Sequence, residues 1–227
     1  MRIGIILTND ERSRAYLQKL QEKKILLDSY VLMNNKNERK FSKEVISTSK
    51  KFGFDISETT KDTLLKNNIL FNEVDFLDIN HPKLINLVKK ENCDYFIFTG
   101  GGILKKDILN LSVKFIHMHP GIVPYYRGST CFYYSIINEQ SAGVTAFIMD
   151  KTLDTGNIIY QKKFDKPNHQ FIDEVYDPHI RSETLIKILE GKILEKNNFT
   201  EQNPENGETY FIIHPVLKHI AILNCID

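Results

Sequence analysis

The feature that most constrains the fold is the order of apolar segments at the start of the chain. Residues 2–8 form a short apolar run, residues 11–23 carry apolar side chains at helical spacing, and residues 25–33 form a second apolar run. Short apolar runs of this kind are typical of strands that are buried on both faces of a parallel sheet. A helix between two parallel strands requires a crossover, which is nearly always right-handed. The pattern therefore predicts an α/β class with a Rossmann-like, three-layer fold and a mostly parallel central sheet.

Length and charge limit the domain organisation and the classes of partner. The chain has 227 residues, with 30 Lys and Arg against 29 Asp and Glu, so its formal net charge is +1. This length supports one ample core and is short for two ordinary domains with a linker. We expect a catalytic domain over residues 1–195 and a C-terminal appendage, a strand and a short helix, over residues 196–227. The balanced charge predicts no nucleic-acid or anionic-membrane partner.

Targeting signals and cysteine usage bear on the compartment. No apolar run reaches the roughly 18 residues of a membrane helix. Met1 begins a predicted strand, and neither a long apolar region nor a small-residue cleavage site follows it, so no signal peptide is expected. Cys93, Cys131 and Cys225 are odd in number and lack C-x-x-C spacing, which favours reduced thiols over disulfides or a zinc site. We expect a cytoplasmic protein.

The remaining elements follow from apolar spacing and from turn residues. We predict strands over residues 69–74, 94–99, 144–149, 158–164 and 209–213, and helices over residues 42–50, 82–90, 129–138 and 178–190 and after residue 215. Residues 34–66 are polar and Lys-rich, and outside the helix at 42–50 we predict an irregular, solvated segment. Residues 197–207 are predicted to form a polar linker.

Two histidines and an aspartate form the candidate site. His117 and His119 are two residues apart at the end of an apolar run, so strand alternation places both imidazoles on one face. Asp154 follows a second apolar run, and the Thr-Gly after it indicates a tight turn. Strand ends can bring these three side chains into one crevice. Two imidazoles and a carboxylate can move protons or bind a metal ion, and the residue types alone leave both possibilities open.

The sequence around these residues resembles a known superfamily. Residues 115–128 read FIHMHPGIVPYYRG, and Asp154 is followed by Thr-Gly. This order resembles the formyltransferases that use 10-formyltetrahydrofolate, whose signature reads roughly Asn-Ile-His-Pro, then Leu-Pro, Arg-Gly and Asp-(Thr/Ala)-Gly. Among them it is most similar to the compact, stand-alone sugar N-formyltransferases. One position departs from the signature, because His117 stands where the family carries Asn, so the catalytic triad implied here is His117, His119 and Asp154. The metal-free pattern of the family disfavours a metal site.

The resemblance implies a reaction and a role for each residue. A primary amine attacks the formyl carbon of N10-formyltetrahydrofolate through a tetrahedral oxyanion. His119 would polarise the formyl oxygen, and Asp154 would tune His119 and help to shuttle protons. Because a carboxylate favours the charged form of a nearby imidazole, we expect the pKa of His119 to lie above its ordinary value of about 6.5. His119 would then be a better hydrogen-bond donor near neutral pH.

A glycine run marks a candidate folate-binding loop. Three glycines after the strand at 94–99 allow positive φ angles and a close approach of the main chain to a flat ligand. A tight strand-to-helix turn without a ligand is the alternative. The resemblance implies that the pterin is bound by Gly101, Gly102, Ile103, Leu104, Met149 and Asp150. For the acceptor substrate we predict contacts from Asn9, Tyr125 and Arg127, with a helix cap as the alternative for Asn9 and core packing as the alternative for Tyr125.

The acceptor follows from comparison within the superfamily. Methionyl-tRNA formyltransferases carry a longer C-terminal RNA-binding domain, and formyltetrahydrofolate hydrolases carry an extra N-terminal domain. The loop after the first strand also lacks the glycines of the glycinamide ribonucleotide branch. We therefore expect the acceptor to be a nucleotide-linked amino sugar. A hydrolase, or a non-catalytic member that binds folate or a nucleotide sugar, remains an alternative. The sequence also leaves open a homodimer formed through the C-terminal segment.

The first prediction concerns the departure from the family signature. An Asn side chain donates an N–H at any pH, whereas His117 donates only in the correct tautomer or when protonated. We expect His117→Asn to retain formyl transfer at neutral pH in a steady-state assay. A fall of about a hundredfold, the usual cost of losing an oxyanion donor, would show that the imidazole has a role of its own.

Overall fold

The structure is a computed structural model, and it describes residues 1–34, 39–100 and 102–226. The chain forms two compact units, Met1–His117 and Met118–Asp227. The domain boundary predicted from the sequence, between residues 195 and 196, differs from this boundary and remains a prediction.

The first unit contains a parallel sheet with helices between its strands. The strands are β1 (Ile3–Leu7), β2 (Ser29–Met33), β3 (Asn72–Val74), β4 (Tyr95–Phe98) and β5 (Lys114–His119), which continues into the second unit. The helices are α1 (Glu11–Glu22), α2 (Lys43–Lys51), α3 (Thr60–Lys66), α4 (Pro82–Glu91) and α5 (Lys106–Leu109). The strand order is β3-β2-β1-β4-β5, and each neighbouring pair is parallel. The predicted α/β class with a mostly parallel, Rossmann-like sheet is confirmed.

Apolar burial explains why the opening segment folds as predicted. All five residues of β1 are buried, and Ile5, Ile6 and Leu7 have no exposed surface. Helix α1 begins after Asp10, whose carboxylate accepts a hydrogen bond from the Ser13 N–H at 2.8 Å, as a capping residue does. The strand and the cap together place the loop of residues 8–10 at the carboxyl end of β1.

Two helices of the first unit, α3 and the four-residue α5, were not predicted, and α3 is the longer of them. Residues 60–66, predicted to be irregular, form α3. Its start is capped by Thr59, which accepts a hydrogen bond from the Asp62 N–H, and Leu64 is fully buried. The prediction for residues 60–66 was wrong because the helix is short and has few apolar residues, so the cap and one buried leucine, together with two buried threonines, stabilise it without a visible periodic pattern.

Up to residue 226, the second unit combines a hairpin, a small two-stranded sheet and three α-helices. Strands β7 (Ser141–Ile148) and β8 (Ile158–Asp165) are antiparallel, whereas β6 (Tyr126–Gly128) and β9 (Glu208–Tyr210) are parallel. The α-helices are α6 (Cys131–Glu139), α7 (Asp177–Glu190) and α8 (Pro215–Ile226), and α7 continues a short π-helix (Ile172–Tyr176). Helix α8 packs against α6. The C-terminal strand is shorter than predicted, since it ends at Tyr210, and Phe211 and Ile212 are exposed.

Two further observations bear on the sequence-based expectations. Cys93, Cys131 and Cys225 are free thiols, and all three are buried. In the part of the chain that the structure describes, no helix has both the length and the apolar character needed to span a membrane.

The pairing of β6 with β9 requires a glycine at position 128. This requirement leads to a prediction about stability. Gly128 has a φ of +98°, and a Cβ atom there would overlap the carbonyl oxygen of Tyr210. Gly102 has a φ of +118°, but the nearest atom to its Cβ position is Cγ2 of Ile79 at 3.8 Å. We expect Gly128→Ala to lower the free energy of unfolding by about 1–3 kcal/mol more than Gly102→Ala, because only Gly128→Ala adds a steric overlap to the backbone strain. Urea denaturation measures both variants, and equal losses would contradict the prediction.

Candidate functional site

The centre of the candidate site is a buried imidazole beside a carboxylate, both in the second unit. His119 is the last residue of β5, and Asp154 lies in the turn between β7 and β8. The distance from Nδ1 of His119 to Oδ2 of Asp154 is 3.4 Å. The side chain of His119 is 2% exposed and that of Asp154 is 13% exposed. The structure therefore brings together two of the three predicted catalytic residues, and it leaves the carboxylate as the more accessible of the two.

The second ring nitrogen of His119 determines which tautomer is present. Nε2 lies 2.8 Å from the carbonyl oxygen of Tyr126. Because a carbonyl oxygen only accepts hydrogen bonds, Nε2 must carry the hydrogen. Nδ1, which faces Asp154, is therefore the nitrogen that gains or loses a proton.

The expected direction of the pKa of His119 was wrong. Burial lowers the pKa of His119 below its ordinary value, and this effect exceeds the opposing influence of Asp154 and of the Tyr126 carbonyl. Arg181 lowers the pKa further and Asp177 raises it, and both are smaller influences. The lowered pKa favours the neutral imidazole near neutral pH, with Nδ1 as the nitrogen that faces the carboxylate. His119 is prepared to accept a proton rather than to donate one.

The turn that carries Asp154 is held by several contacts. Asp154 has a φ of +53°, in the left-handed region that non-glycine residues seldom adopt. The Gly128 N–H donates a hydrogen bond to Oδ2 of Asp154 at 2.7 Å. The hydroxyl of Thr155 lies 3.1 Å from each carboxylate oxygen of Asp150. At Gly156 a Cβ atom would overlap the carbonyl oxygen of Ile148, so this position requires glycine. These contacts explain how the tight turn predicted at this place is built.

The loop that follows His119 is fixed by two polar residues of the hairpin. The hydroxyl of Thr145 donates to the Gly121 carbonyl at 2.7 Å and accepts from the Val123 N–H at 3.1 Å. The amide of Gln161 donates to the Val123 carbonyl at 2.7 Å. Sequence reasoning did not single out Thr145 or Gln161. A buried hydroxyl within an apolar strand such as β7 is the signal that could have indicated Thr145.

His117 and the candidate folate loop lie in the first unit. The side chain of His117 is half-buried on β5. In the loop, Ile103 is 76% exposed and Leu104 is buried. The side chain of Asn80 holds this loop, because its Nδ2 donates to the Ile103 carbonyl at 3.0 Å and its Oδ1 accepts from the Lys105 N–H at 2.7 Å. Gly101 lies outside the described residues.

The contacts and the exposure of the remaining predicted binding residues are as follows. Asn9 donates a hydrogen bond to Asn34 at 2.7 Å, and the cap of α1 is its neighbour Asp10. Tyr125 is 59% exposed. Arg127 is 8% exposed and donates to the Gly207 carbonyl at 3.1 Å. Met149 is half-buried and Asp150 is exposed. The binding roles of all these residues remain predictions.

A metal centre was one alternative for the two histidines and the aspartate. Across residues 1–34, 39–100 and 102–226, no three His, Cys, Asp or Glu side chains form a group that could hold a metal ion.

Comparison with known families and curated proteins gives two consistent findings. A family model described as formyl transferase matches residues 8–183. The methionyl-tRNA formyltransferase of Caldanaerobacter subterraneus subsp. tengcongensis is 30% identical over 132 residues, which cover 54% of this chain and 43% of that protein. The methionyl-tRNA formyltransferase of Clostridioides difficile is 31% identical over 164 residues, which cover 70% of this chain and 51% of that protein. The chain spans about half the length of the curated relatives it matches.

Solved structures extend the similarity to the whole chain at the level of the fold. The N-formyltransferase of Helicobacter canadensis, solved with folinic acid and dTDP-3-aminofucose, gives a TM-score of 0.61 at 18% identity and covers 100% of this chain and 81% of that chain. WlaRD, a sugar 3N-formyltransferase solved in the presence of dTDP and 5-N-formyl-THF, gives a TM-score of 0.63 at 20% identity and covers 100% of this chain and 79% of that chain. At these identities the likeness concerns the fold.

The second prediction concerns the charge that faces Nδ1. Because the carboxylate of Asp154 raises the pKa of His119, we expect Asp154→Asn to lower that pKa further, since the variant removes the opposite charge that favours the imidazolium. Titration by ¹H–¹⁵N NMR of the histidine ring measures it. Asp173→Asn, which removes a carboxylate on the π-helix that pairs with Lys218, serves as the control. An unchanged or higher pKa in Asp154→Asn would contradict the prediction.

The third prediction follows from the same lowered pKa. As pH falls below about 6.5, the unfolded chain protonates His119 while the folded protein still holds it neutral. Stability should therefore fall as pH drops from this value towards the lower pKa of the folded state. Urea denaturation between pH 7.5 and pH 5 on the wild type and on His119→Phe isolates this effect, since the variant lacks the titrating group. Equal pH dependence in the two proteins would contradict the prediction.

Proposed function

Because the chain belongs to the formyl transferase family, we propose that it is an enzyme that moves a formyl group from N10-formyltetrahydrofolate to a primary amine. The observation that carries the proposal is the buried His119–Asp154 pair, at the positions of the His and the Asp in the family signature. The neutral imidazole and the carboxylate together can take up one proton, and an amine must lose one proton when it gains a formyl group.

The donor would be held by the loop that follows β4. The loop is prepared for main-chain contacts with a flat ring, because Gly102 has no side chain, its φ is +118°, and Asn80 fixes the following residues. We assign the pterin contacts to Gly102, Ile103 and Leu104, together with Gly101. For Met149 and Asp150 the folate-binding role remains a prediction. The bound donor supplies the formyl carbon.

The proton follows a path set by exposure and tautomer. The amine nitrogen first bonds to the formyl carbon, and the bond from that carbon to N10 of the formyl donor breaks afterwards. The amine proton passes by way of Asp154, the more accessible member of the pair, to Nδ1 of His119. The carboxylate stabilises the imidazolium that results, and the Tyr126 carbonyl keeps the ring oriented. The proton then leaves to N10, which returns the pair to its starting state.

His117 would supply the hydrogen-bond donor that other members of the family take from an Asn side chain. It is half-buried on β5, so part of its ring can reach a ligand. We assign it the hydrogen bond to the formyl oxygen, a position at which a donor contributes about 10²–10³ to the rate.

The acceptor we propose is a nucleotide-linked amino sugar. One structurally similar protein is a sugar 3N-formyltransferase solved with dTDP, another is an N-formyltransferase solved with dTDP-3-aminofucose, and both match the whole chain. Tyr125, which is 59% exposed, offers a ring on which a base or sugar can stack. We assign Asn9 and Arg127 to the same substrate. Methionyl-tRNA is the competing acceptor, because the curated relatives act on it by name, and the net charge of +1 disfavours it.

The fourth prediction tests the reaction and the role of Asp154. The protein is mixed with N10-formyltetrahydrofolate and a panel of 3-amino and 4-amino sugars linked to dTDP or UDP, with methionyl-tRNA in a parallel reaction. We expect mass spectrometry to show one formyl group added to an amino sugar. Asp154→Asn should lower kcat by about 10²–10⁴-fold, the usual contribution of general acid–base catalysis, and Asp173→Asn should not. The rate should also fall as pH drops below the pKa of His119, since a protonated Nδ1 can no longer take up the proton of the amine.

Other outcomes distinguish the alternatives. Formylation of methionyl-tRNA alone would replace the sugar acceptor but keep the reaction. Release of formate without any amine would identify a hydrolase, and tight binding of folate or nucleotide sugar without turnover would identify a non-catalytic binding protein. The cytoplasmic location and the homodimer remain predictions.

A further inference from the structure

The segment predicted to be a linker contacts the turn that carries Asp154. Nε2 of Gln202 donates hydrogen bonds to the carbonyl oxygens of Asp154, at 3.0 Å, and of Gly156, at 2.7 Å. We propose that Gln202 is a positioning residue that holds the carboxylate of Asp154 against Nδ1 of His119. The effect of Gln202 on catalysis rests on the proposed function. Its effect on the geometry of the His119–Asp154 pair does not.

The amide of Gln202 has only one orientation that fits its neighbours. Two carbonyl oxygens need hydrogen-bond donors, and only the NH₂ end of the amide can donate. The other end, Oε1, is buried and has no hydrogen-bond partner among the described residues. A buried acceptor without a partner is unfavourable. The side chain keeps this orientation because the two donated bonds outweigh the unmatched oxygen.

The turn needs a clamp because its backbone is held in an unfavourable conformation. Asp154 has a φ of +53°, and Gly156 passes so close to Ile148 that no side chain fits. Residues in this left-handed region persist only when surrounding contacts hold them there. Gln202 binds the carbonyl groups on both sides of Thr155 with one amide. The Gly128 N–H binds the carboxylate itself, so backbone and side chain of Asp154 are fixed by different residues.

Gln202 is anchored independently of the turn. Thr200 and Ile158 exchange two backbone hydrogen bonds, with the Ile158 N–H 2.8 Å from the Thr200 carbonyl and the Thr200 N–H 2.9 Å from the Ile158 carbonyl. This bridge fixes the chain two residues before Gln202. The side chain therefore starts from a fixed backbone and loses little freedom when it binds the turn.

The effect of Gln202 on His119 should pass through Asp154 alone. The largest influences of charged groups on His119 come from Asp154, Arg181 and Asp177. Arg181 and Asp177 lie on α7 and form their own ion pair at 2.7 Å. The thiol of Cys131 is also close to Asp154, and burial raises its pKa to about 12, so it stays uncharged. Loss of the Gln202 clamp should thus reduce the influence of Asp154 while the other charges stay in place.

The fifth prediction compares Gln202→Met with Glu201→Met. Methionine keeps the length of glutamine but cannot donate, and Glu201 is an exposed neighbour in the same segment. We expect Gln202→Met to lower the pKa of His119 in the NMR titration, in the same direction as Asp154→Asn. We also expect kcat to fall about 10–100-fold, the cost of a small misplacement of a catalytic group, with KM for the formyl donor changed less than about twofold. Glu201→Met should leave the pKa of His119 and kcat unchanged.

A second variant covers the case in which Gln202→Met fails to fold. Gln202→Asn keeps the amide but is too short to reach both carbonyl groups, and it should give smaller changes in the same direction. If either folded variant keeps the wild-type pKa of His119, Gln202 does not position Asp154 and the proposal is overturned, even if stability falls. If the wild type formylates no amine, the proposed function fails, and the titration still decides whether Gln202 acts on the pair.

Discussion

The rest of the site depends on the burial of one imidazole. His119 ends β5 with 2% of its side chain exposed, and Nε2 is bonded to the Tyr126 carbonyl. To bring that carbonyl back to the ring, the chain must reverse tightly after β5. Gly121 permits this, because a Cβ atom there would lie 2.6 Å from the Tyr126 oxygen and 3.0 Å from Nε2 of His119. One buried ring thus determines the path of the loop that follows it.

The same burial decides the chemistry of the pair. Proximity to a carboxylate favours an imidazolium, and removal from water favours a neutral ring. For His119 the second effect is larger, so the folded protein presents a neutral Nδ1 to Asp154. A neutral base next to a fixed negative charge is suited to receive a proton, because the charge stabilises the cation that forms. The arrangement separates the orienting nitrogen from the reacting nitrogen within one ring.

Polar residues far apart in the sequence hold the two loops that form this pair. Thr145 and Gln161 bind the loop after β5, and Gln202 binds the turn that carries Asp154. Each of them satisfies backbone groups that no strand or helix pairs. Unpaired buried backbone groups are costly, so irregular loops at a site need such partners. Gln202 lies in a segment with no apolar pattern, and its side chain still connects that segment to the site.

The sequence by itself determined the α/β class, the parallel strands around residues 3–7, 29–33 and 95–98, the family, and the identity of His119 and Asp154 as neighbours. These follow from apolar periodicity and from a short motif, both of which are local properties of the chain. The tertiary structure alone decided the direction of the pKa of His119, the tautomer, helix α3, and the hydrogen bonds from Thr145, Gln161 and Gln202. Burial and hydrogen-bond partners depend on residues that are distant along the chain, so no local pattern specifies them. For His119 the local cue, a nearby carboxylate, even favoured the opposite sign, because desolvation is a property of the folded protein.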